Sequence, residues 1–318
     1  MPKAFIAVCT AQRPVMLKEC ILSLGNQSIP AGWDVSILVI ENDEVAHCRD
    51  IVTEVSYHCL LPIHYVFEPV RGIPYARNHA LEYSIEHQSD WVFFIDDDEV
   101  ASPSWVSNML EASLHFKADA FQGPVRYEYT HPIPLWFEKK KRRHLSTGTL
   151  MHVAATNNIM MHKRLFVSKP EGLGLRFDTS MRFTGGSDTD FFFRATDLGA
   201  TIRWVDDAEV HETVIAERLD LGWILRRHLR VASNACTVHR KRKGLLKTLR
   251  RYGIKSLLRL CYGSLVLVIV VWFIHIPYVR QFLLVHAFTA TKHLASAIGY
   301  LAGFTPWKPQ PYKVVDGY

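Results

Sequence analysis

Four short runs, Ala4–Thr10 (AFIAVCT), Val35–Ile40 (VSILVI), His64–Phe67 and Trp91–Ile95, are rich in β-branched and aromatic residues. Helical patterns at Met16–Leu24, Ala46–Tyr57 and Tyr75–His87 fall between them. Alternation of this kind leaves few architectures open, because parallel strands need a crossover, usually a helix, to return the chain to the same edge. The spacing predicts an α/β fold: a Rossmann-like, mostly parallel central sheet flanked by helices. In such sheets ligands lie beyond the carboxyl ends of the strands, and Thr10, Glu41, Glu68 and Asp96 stand at that edge.

The fourth run closes on Asp96, Asp97, Asp98 and Glu99. Adjacent carboxylates repel one another. A divalent cation among them removes the repulsion, since magnesium and manganese prefer oxygen ligands, and magnesium is often held by one or two carboxylates together with substrate phosphates. A polar loop after a buried strand is the plainer alternative. Further along, GGSDTDFFFR (Gly185–Arg194) sets two glycines, suited to a tight turn, before an aromatic run that begins a helix. Asp188 is there either an anion stabilised at a helix N-terminus or a general base facing a cleft. His211 follows the strand-like TIRWVDDAEV; a lone histidine in such a place is more often structural than a ligand.

The 318 residues and 48% hydrophobic content suffice for a folded core in one large or two smaller domains. The net charge of +6 hides a division: residues 221–318 hold 16 Lys and Arg against one acid, net +15, which leaves 21 basic and 30 acidic residues, net −9, in 1–220. The change near Leu221 divides a catalytic unit, 1–220, from a basic and apolar helical region, 221–318. That region opens with Arg226, Arg227 and Arg230 and passes through HRKRKGLLKTLRRYGIKSLLR into Leu260–Ile274, an apolar run of 15 residues. A span needs about 20, so this run is borderline for crossing a bilayer. The following Gln281–Phe304 carries Lys292 and His293 and reads as interfacial. An anionic leaflet attracts such basic residues at roughly 1 kcal/mol each, so docking to the cytoplasmic face of a membrane is expected. The alternative is a hydrophobic helical hairpin packed on the catalytic unit, its basic residues merely solvated.

Between these parts, GPVRYEY and PIPLW read as extended and Lys139–His144 (KKKRRH) as a solvated or mobile loop that could also meet an anionic ligand. Trp105 and Trp136 are candidates for stacking on a ligand's rings or for ordinary packing. Six cysteines without a CxxC pair or zinc spacing, and no signal peptide ahead of Ala4, read as reduced thiols in a cytosolic N-terminal part. The sequence holds no internal repeat.

In order along the chain, VCTAQRP, IEND, GIPYARNHAL, FFIDDDEV, GGSDTDFFFR and VHE resemble the inverting glycosyltransferases with the GT-A fold, glycosyltransferase family 2, over roughly residues 4–230. The resemblance implies roles at matching positions. Thr10 and Glu41 would line the nucleotide pocket, Arg77 would approach the uracil or diphosphate, and Asp96 and Asp97 would contact the nucleotide-sugar, Asp96 at its ribose. Asp98, closing a DXD pair with Asp96, and His211 would hold Mn2+ or Mg2+. Asp188 would be the catalytic base, with Asp190 as a second candidate. Asn157 and Asn158 match a polar position near the acceptor, or else end a strand. Arg226, Arg227 and Arg230 would face either the leaving diphosphate or, the preferred reading here, lipid headgroups. Three departures are Ala11 in place of an aromatic residue, Glu41 in place of Asp, and Ser187 in place of the Glu that precedes the base.

The implied activity is metal-dependent, inverting transfer of a hexose, glucose as first choice, from a UDP-sugar to a lipid-linked glycan at the cytoplasmic face of a bacterial inner membrane, in exopolysaccharide or surface polysaccharide synthesis. A sugar nucleotidyltransferase is a rival, although CTAQRP lacks the glycines of a phosphate loop. A protein using its basic tail on nucleic acid is another, permitted by electrostatics. The apolar run among those charges suits a bilayer better, and no nucleic-acid motif is present, so no nucleic-acid partner is expected. An inactive relative kept as a scaffold is the third.

Overall fold

The computed structural model describes residues 1–134, 136–307 and 309–310. Strands β1 (Lys3–Thr10), β2 (Asp34–Glu41), β3 (Ile63–Phe67) and β4 (Trp91–Asp96) alternate with helices α1 (Pro14–Gly25), α2 (Arg49–Ser56) and α3 (Ile73–Glu86). All four strands are parallel in the order β3-β2-β1-β4. The chain therefore moves outward from β1 to β3 and then returns to the other side of β1. At this switch in direction the connections diverge and leave a crevice beyond the strand ends.

Beyond β4 the chain forms β5 (Glu99–Ala101), α4 (Trp105–His115), β6 (Ala120–Gln122), β7 (Val125–Tyr129), β8 (Leu150–Met151), β9 (Asn158–His162), α5 (Ser187–Asp197), β10 (Ile202–Trp204) and β11 (Val210–Val214). Strand β9 runs antiparallel between β4 and β6, and β10 and β8 complete an eight-stranded sheet. Strands β5, β11 and β7 form a separate small sheet next to the acidic run. GPVRYEY is thus extended as expected. PIPLW is not a strand among its described residues, and its Leu135 lies outside them.

Because β1 is covered on both faces, it reads as one apolar run. Ala4, Ile6 and Val8 join a cluster with Leu17, Ile21 and Trp105 from α1 and α4, while Phe5 and Ala7 join Ala76, Phe191 and Phe192 from α3 and α5.

Three long helices follow. Helix α6 (Leu221–Lys243) is capped by Asp220, whose side chain accepts the Trp223 N–H at 2.9 Å. After α7 (Leu245–Thr248) a π-turn leads into α8 (Ile254–Phe273), and α9 (Pro277–Ala302) returns antiparallel to it. Close approach is possible because small residues lie at the crossings: a Cβ on Gly299 would come 2.2 Å from the Leu229 carbonyl oxygen of α6. Residues Leu245–Phe273 form a helical stretch long and apolar enough to cross a membrane; its most apolar window has a mean hydropathy of 2.0 and is only 17% buried, so its apolar surface faces outward.

The change of composition at Leu221 does not detach α6 from the catalytic unit. Asn234 donates to the Thr184 carbonyl at 2.8 Å, and Arg242 and Lys241 pair with Asp197 and Asp178. The Lys139–His144 stretch is not simply a solvated loop either: Arg142 is pinned by Glu209 and Asp206. All six cysteines are free thiols.

Candidate active site

The four acids at the end of β4 meet different surroundings. Asp97 is nearly buried; it accepts the Thr10 hydroxyl at 2.8 Å and Arg13 Nη1 at 3.0 Å. Glu99 is buried, accepting Asn157 Nδ2 at 2.9 Å and the Asp96 backbone N–H at 3.2 Å. Asp98 accepts Arg218 Nη2 at 2.5 Å and has Arg13 Nη1 at 3.7 Å. Asp96 alone is open, with a side chain 46% exposed and Arg77 Nη2 3.8 Å away. The repulsion raised by the sequence is thus divided between buried hydrogen bonds and arginines.

Electrostatics leaves the cluster short of positive charge. Partial withdrawal from water raises the Asp96 carboxyl above its usual value against the pull of Arg77, with Asp98 and Asp97 adding to the rise. Desolvation likewise lifts Asp97 to about 6, opposed by Arg13 and assisted by Asp98. Glu99 is held well above the usual carboxylate range by burial and by Asp96 and Asp98.

Thr10, Arg77, Asp96, Asp97, Asp98, Asn157 and Asp188 line a single cavity of about 700 Å³, a size suited to a nucleotide-sized ligand. Asp188 enters it from the first turn of α5. Gly185 and Gly186 precede that turn with φ of 75° and 85°, a left-handed backbone that favours glycine. Arg226, Arg227 and Arg230 of α6 line the same cavity, which agrees with the first of the two alternatives raised for them.

Four other expected residues are not in that lining. Glu41 is fully buried and accepts the Cys48 N–H at 3.0 Å and the Tyr65 hydroxyl at 2.5 Å, fixing the entry to α2; its neighbour Asn42 lines the cavity instead. Asn158 is buried, accepting Trp105 Nε1 at 2.8 Å and donating to the Pro124 and Ala208 carbonyls, each at 2.8 Å. This also removes Trp105 from the sugar-stacking candidates. Asp190 is buried against Arg194 at 2.8 Å on its own helix. His211 lies on the outer face of the small sheet with Val100 and Arg126, its ring 2.7 Å from Glu128 and 3.3 Å from Glu209. Side chains alternate along a strand, so Glu212 rather than His211 points to the cavity.

Glu212 and Arg218 carry no separate signal in the sequence. Arg218 bridges Asp98 and Glu212; burial disfavours its charge, but those two carboxylates outweigh the penalty and hold its pKa above the usual value. Among the described residues no three His, Cys, Asp or Glu side chains form a ready-made metal cage. Asp98 and Glu212 are nevertheless hard oxygen donors already bridged by one cation, with Asp96 open beside them. This donor set fits Mn2+ or Mg2+, which need only one or two protein carboxylates when phosphates supply the rest.

The sheet with its switch-point crevice, acids at one strand end and a carboxylate in the first turn of α5 lining the same cavity define an α/β enzyme. The model of the Glycosyl transferase family 2 matches residues 5–176, and the chain belongs to that family: it is a glycosyltransferase with a GT-A fold. It is 32% identical over 225 residues, 71% of each protein, to the succinoglycan biosynthesis protein ExoM of Rhizobium meliloti (strain 1021). Among solved structures it is similar to S. aureus TarS 1–349 in complex with UDP, with 15% identity, a TM-score of 0.52 and coverage of 95% of this chain and 91% of that one. It is also similar to the mannosyltransferase PcManGT from Pyrobaculum calidifontis in complex with GDP-Man and Mn2+, with 14% identity, a TM-score of 0.58 and coverage of 94% and 87%. At these identities the likeness to the two structures is one of fold.

Proposed function

We propose that this glycosyltransferase moves a hexose, glucose as first choice, from a UDP-sugar to a lipid-linked glycan in bacterial exopolysaccharide or surface polysaccharide synthesis. It would work at the cytoplasmic face of the inner membrane, on which the outward apolar surface of α8 and the basic residues around it would rest. The likeness to ExoM supports the pathway class. The observation that carries the chemistry is the shared cavity, whose lining includes Asp188 of α5, the acids of β4 and the α6 arginines.

In this reading Asn42 and Arg77 hold the nucleotide, with Asp96 at its ribose, while Thr10 and Arg13 fix Asp97 and so the loop that carries Asp98. Asp98 and Glu212 would hold a divalent cation, Mn2+ or Mg2+; when bound, such an ion offsets the charge that builds on the departing diphosphate. His211, the second metal ligand expected from the sequence, gives way to Glu212. Asp188 accepts the proton of the acceptor hydroxyl. The freed oxygen attacks the anomeric carbon, which takes on oxocarbenium character, as in glycoside hydrolysis, while the bond to the diphosphate oxygen breaks and its electron pair leaves with UDP. Arg226, Arg227 and Arg230 stabilise that leaving anion. A single displacement inverts the anomeric configuration. The smaller Ser187 leaves Asp188 without an acidic neighbour at that position.

The test is a panel of UDP- and GDP-sugars, with and without Mn2+ and Mg2+, assayed for nucleotide release by the full chain with a membrane-lipid extract as acceptor. Extract-dependent release from a UDP-hexose is expected. Release only from GDP-sugars, or none that depends on the extract, would overturn the donor or the acceptor assignment respectively.

A further inference from the structure

A second cavity, of about 180 Å³, lies between the segment around Trp136 and helices α6 and α9. It shares Arg218, Trp223 and Arg227 with the donor cavity, so those side chains stand between the two. Part of its lining is apolar: Trp136 stacks on Phe288 of α9, ring centres 4.4 Å apart, beside Phe137. Part is basic. Lys140, Arg227 and Lys292 belong to it, with Glu138 as its acid and Glu212 3.8 Å from Lys140 on the donor side. The positive field is felt by its neighbours: burial and then Lys292, Arg259 and Arg227 push His228 down to about 4. Lys140 falls to about 8 through burial, Glu212 resisting while Arg227 and Arg218 add to the drop.

Such a site suits one kind of ligand, an anionic phosphate joined to a long apolar chain. The chain has a way out, because α9 beyond Phe288 presents Phe282, Val285 and Tyr278 to the outside beside the apolar surface of α8. We propose that this cavity holds the phosphate-bearing end of the acceptor's lipid anchor, with the phosphate between Lys140, Arg227 and Lys292 and the first carbons of the chain against Trp136 and Phe288. The assignment rests on the reading of the acceptor as lipid-linked. It places the anchor beside the catalytic centre and its chain toward the membrane.

The test measures equilibrium binding of farnesyl diphosphate, a phosphorylated isoprenoid, to the full chain in neutral detergent with UDP saturating, so that the donor cavity is filled. Binding is expected, weakened at least tenfold by Phe288→Ala combined with Lys292→Gln, and separately by Trp136→Leu from the opposite wall. UDP affinity should be unchanged in both, which also shows that the catalytic unit is folded. Farnesol and inorganic pyrophosphate should each compete at least tenfold less well than farnesyl diphosphate. Wild-type binding by both variants overturns the proposal, as does equal competition by farnesol. Displacement by phosphatidylglycerol at the same concentration also overturns it and identifies a headgroup site for bulk lipid. A wild-type chain that fails to bind UDP faults the donor reading instead; the two variants, whose substituted residues line the second cavity and not the donor cavity, then still decide the proposal.

Discussion

Asp96, Asp97 and Asp98 reach the cavity from the end of a parallel strand, whereas Arg226, Arg227 and Arg230 reach it from one face of a long helix at the edge of the catalytic unit. The acids are fixed by the sheet beneath them and by Thr10, Arg13 and Asn157. The arginine wall depends on how α6 docks. An acidic floor of fixed geometry thus faces a basic wall that rests on a few tertiary contacts, and the ligand that fits between them carries charge of both kinds, a diphosphate and its cation. Positions on the floor should control chemistry and affinity, and positions behind the wall mainly stability.

Asp188 is the most severe test of that division, since it lines the cavity from α5 and belongs to neither the floor nor the wall. Asp188→Asn keeps the shape and removes the base, so turnover should fall about a hundred- to ten-thousandfold, the usual contribution of general base catalysis, with UDP affinity close to wild type by calorimetry. Retained turnover would remove Asp188 from the base role. Asp98→Ala should act on binding instead. Interactions with a charged group contribute about 1.5–3 kcal/mol, so Mn2+-dependent UDP affinity should drop about ten- to a hundredfold. Unchanged affinity would place the cation elsewhere.

The raised acids make a prediction in pH. Burial and the neighbouring acids hold the Asp96 and Asp97 carboxyls above the ordinary value of 3.8 in the folded protein, Asp97 at about 6. The folded state therefore holds protons more tightly than the unfolded chain, and the ligand-free protein should be most stable below pH 4 as far as these groups are concerned, losing that contribution as pH rises from there through about 6. Cation binding requires the ionised forms, so Mn2+ affinity should rise over the same interval. Thermal melts with and without Mn2+ should diverge with increasing pH; parallel curves would show that the floor does not bind the ion.

The difference between floor and wall also explains what could be read from the sequence. Strand ends were legible because β1, β2 and β4 are buried runs and β3 a half-buried one, each followed by polar residues; that pattern put Thr10 and the acidic run at one edge, whereas Arg77 of α3 was reached only through the family resemblance. Within a strand or at its margin the pattern fails by one residue. His211 and Glu212 are equally polar neighbours, and so are Asn157 and Asn158; which one faces the cavity is decided by register with β5, β7 and β4, a tertiary property. Glu41 was displaced by Asn42 for a related reason, since its longer carboxylate turns back to the start of α2. Arg218 could not be found, because it lies in a short 3-10 segment (Ala216–Leu219) without periodicity. The α6 arginines were visible as charge, but their orientation depends on docking.

Asn158 sharpens the distinction between neighbours. Asn158→Ala strands Trp105 Nε1 and two carbonyls in the core, each at a cost of about 1–3 kcal/mol if left unpaired, so the melting temperature should fall with UDP affinity of the surviving folded protein unchanged. Asn157→Ala should instead free Glu99 beside the cavity and alter UDP binding. Equal effects from the two would deny that register separates them.

The smallest effect should come from the ion pairs behind the wall. Arg242 meets Asp197 at 2.7 Å, but the aspartate is half exposed, and Lys241 reaches Asp178 from a side chain that is also exposed. Pairs of this kind contribute about 0–1 kcal/mol. The buried tether is different: Asn234 donates to the Thr184 carbonyl, and Gly186 lies so close that a Cβ there would come 3.1 Å from the Asn234 Cβ. Lys241→Gln with Arg242→Gln should therefore lower stability by less than about 1 kcal/mol and leave UDP affinity within about twofold, because the wall is held by packing and a buried hydrogen bond. A larger loss, reproduced in the wild type by high salt, would mean that screened charges hold α6 in place and that the basic wall shifts with ionic strength.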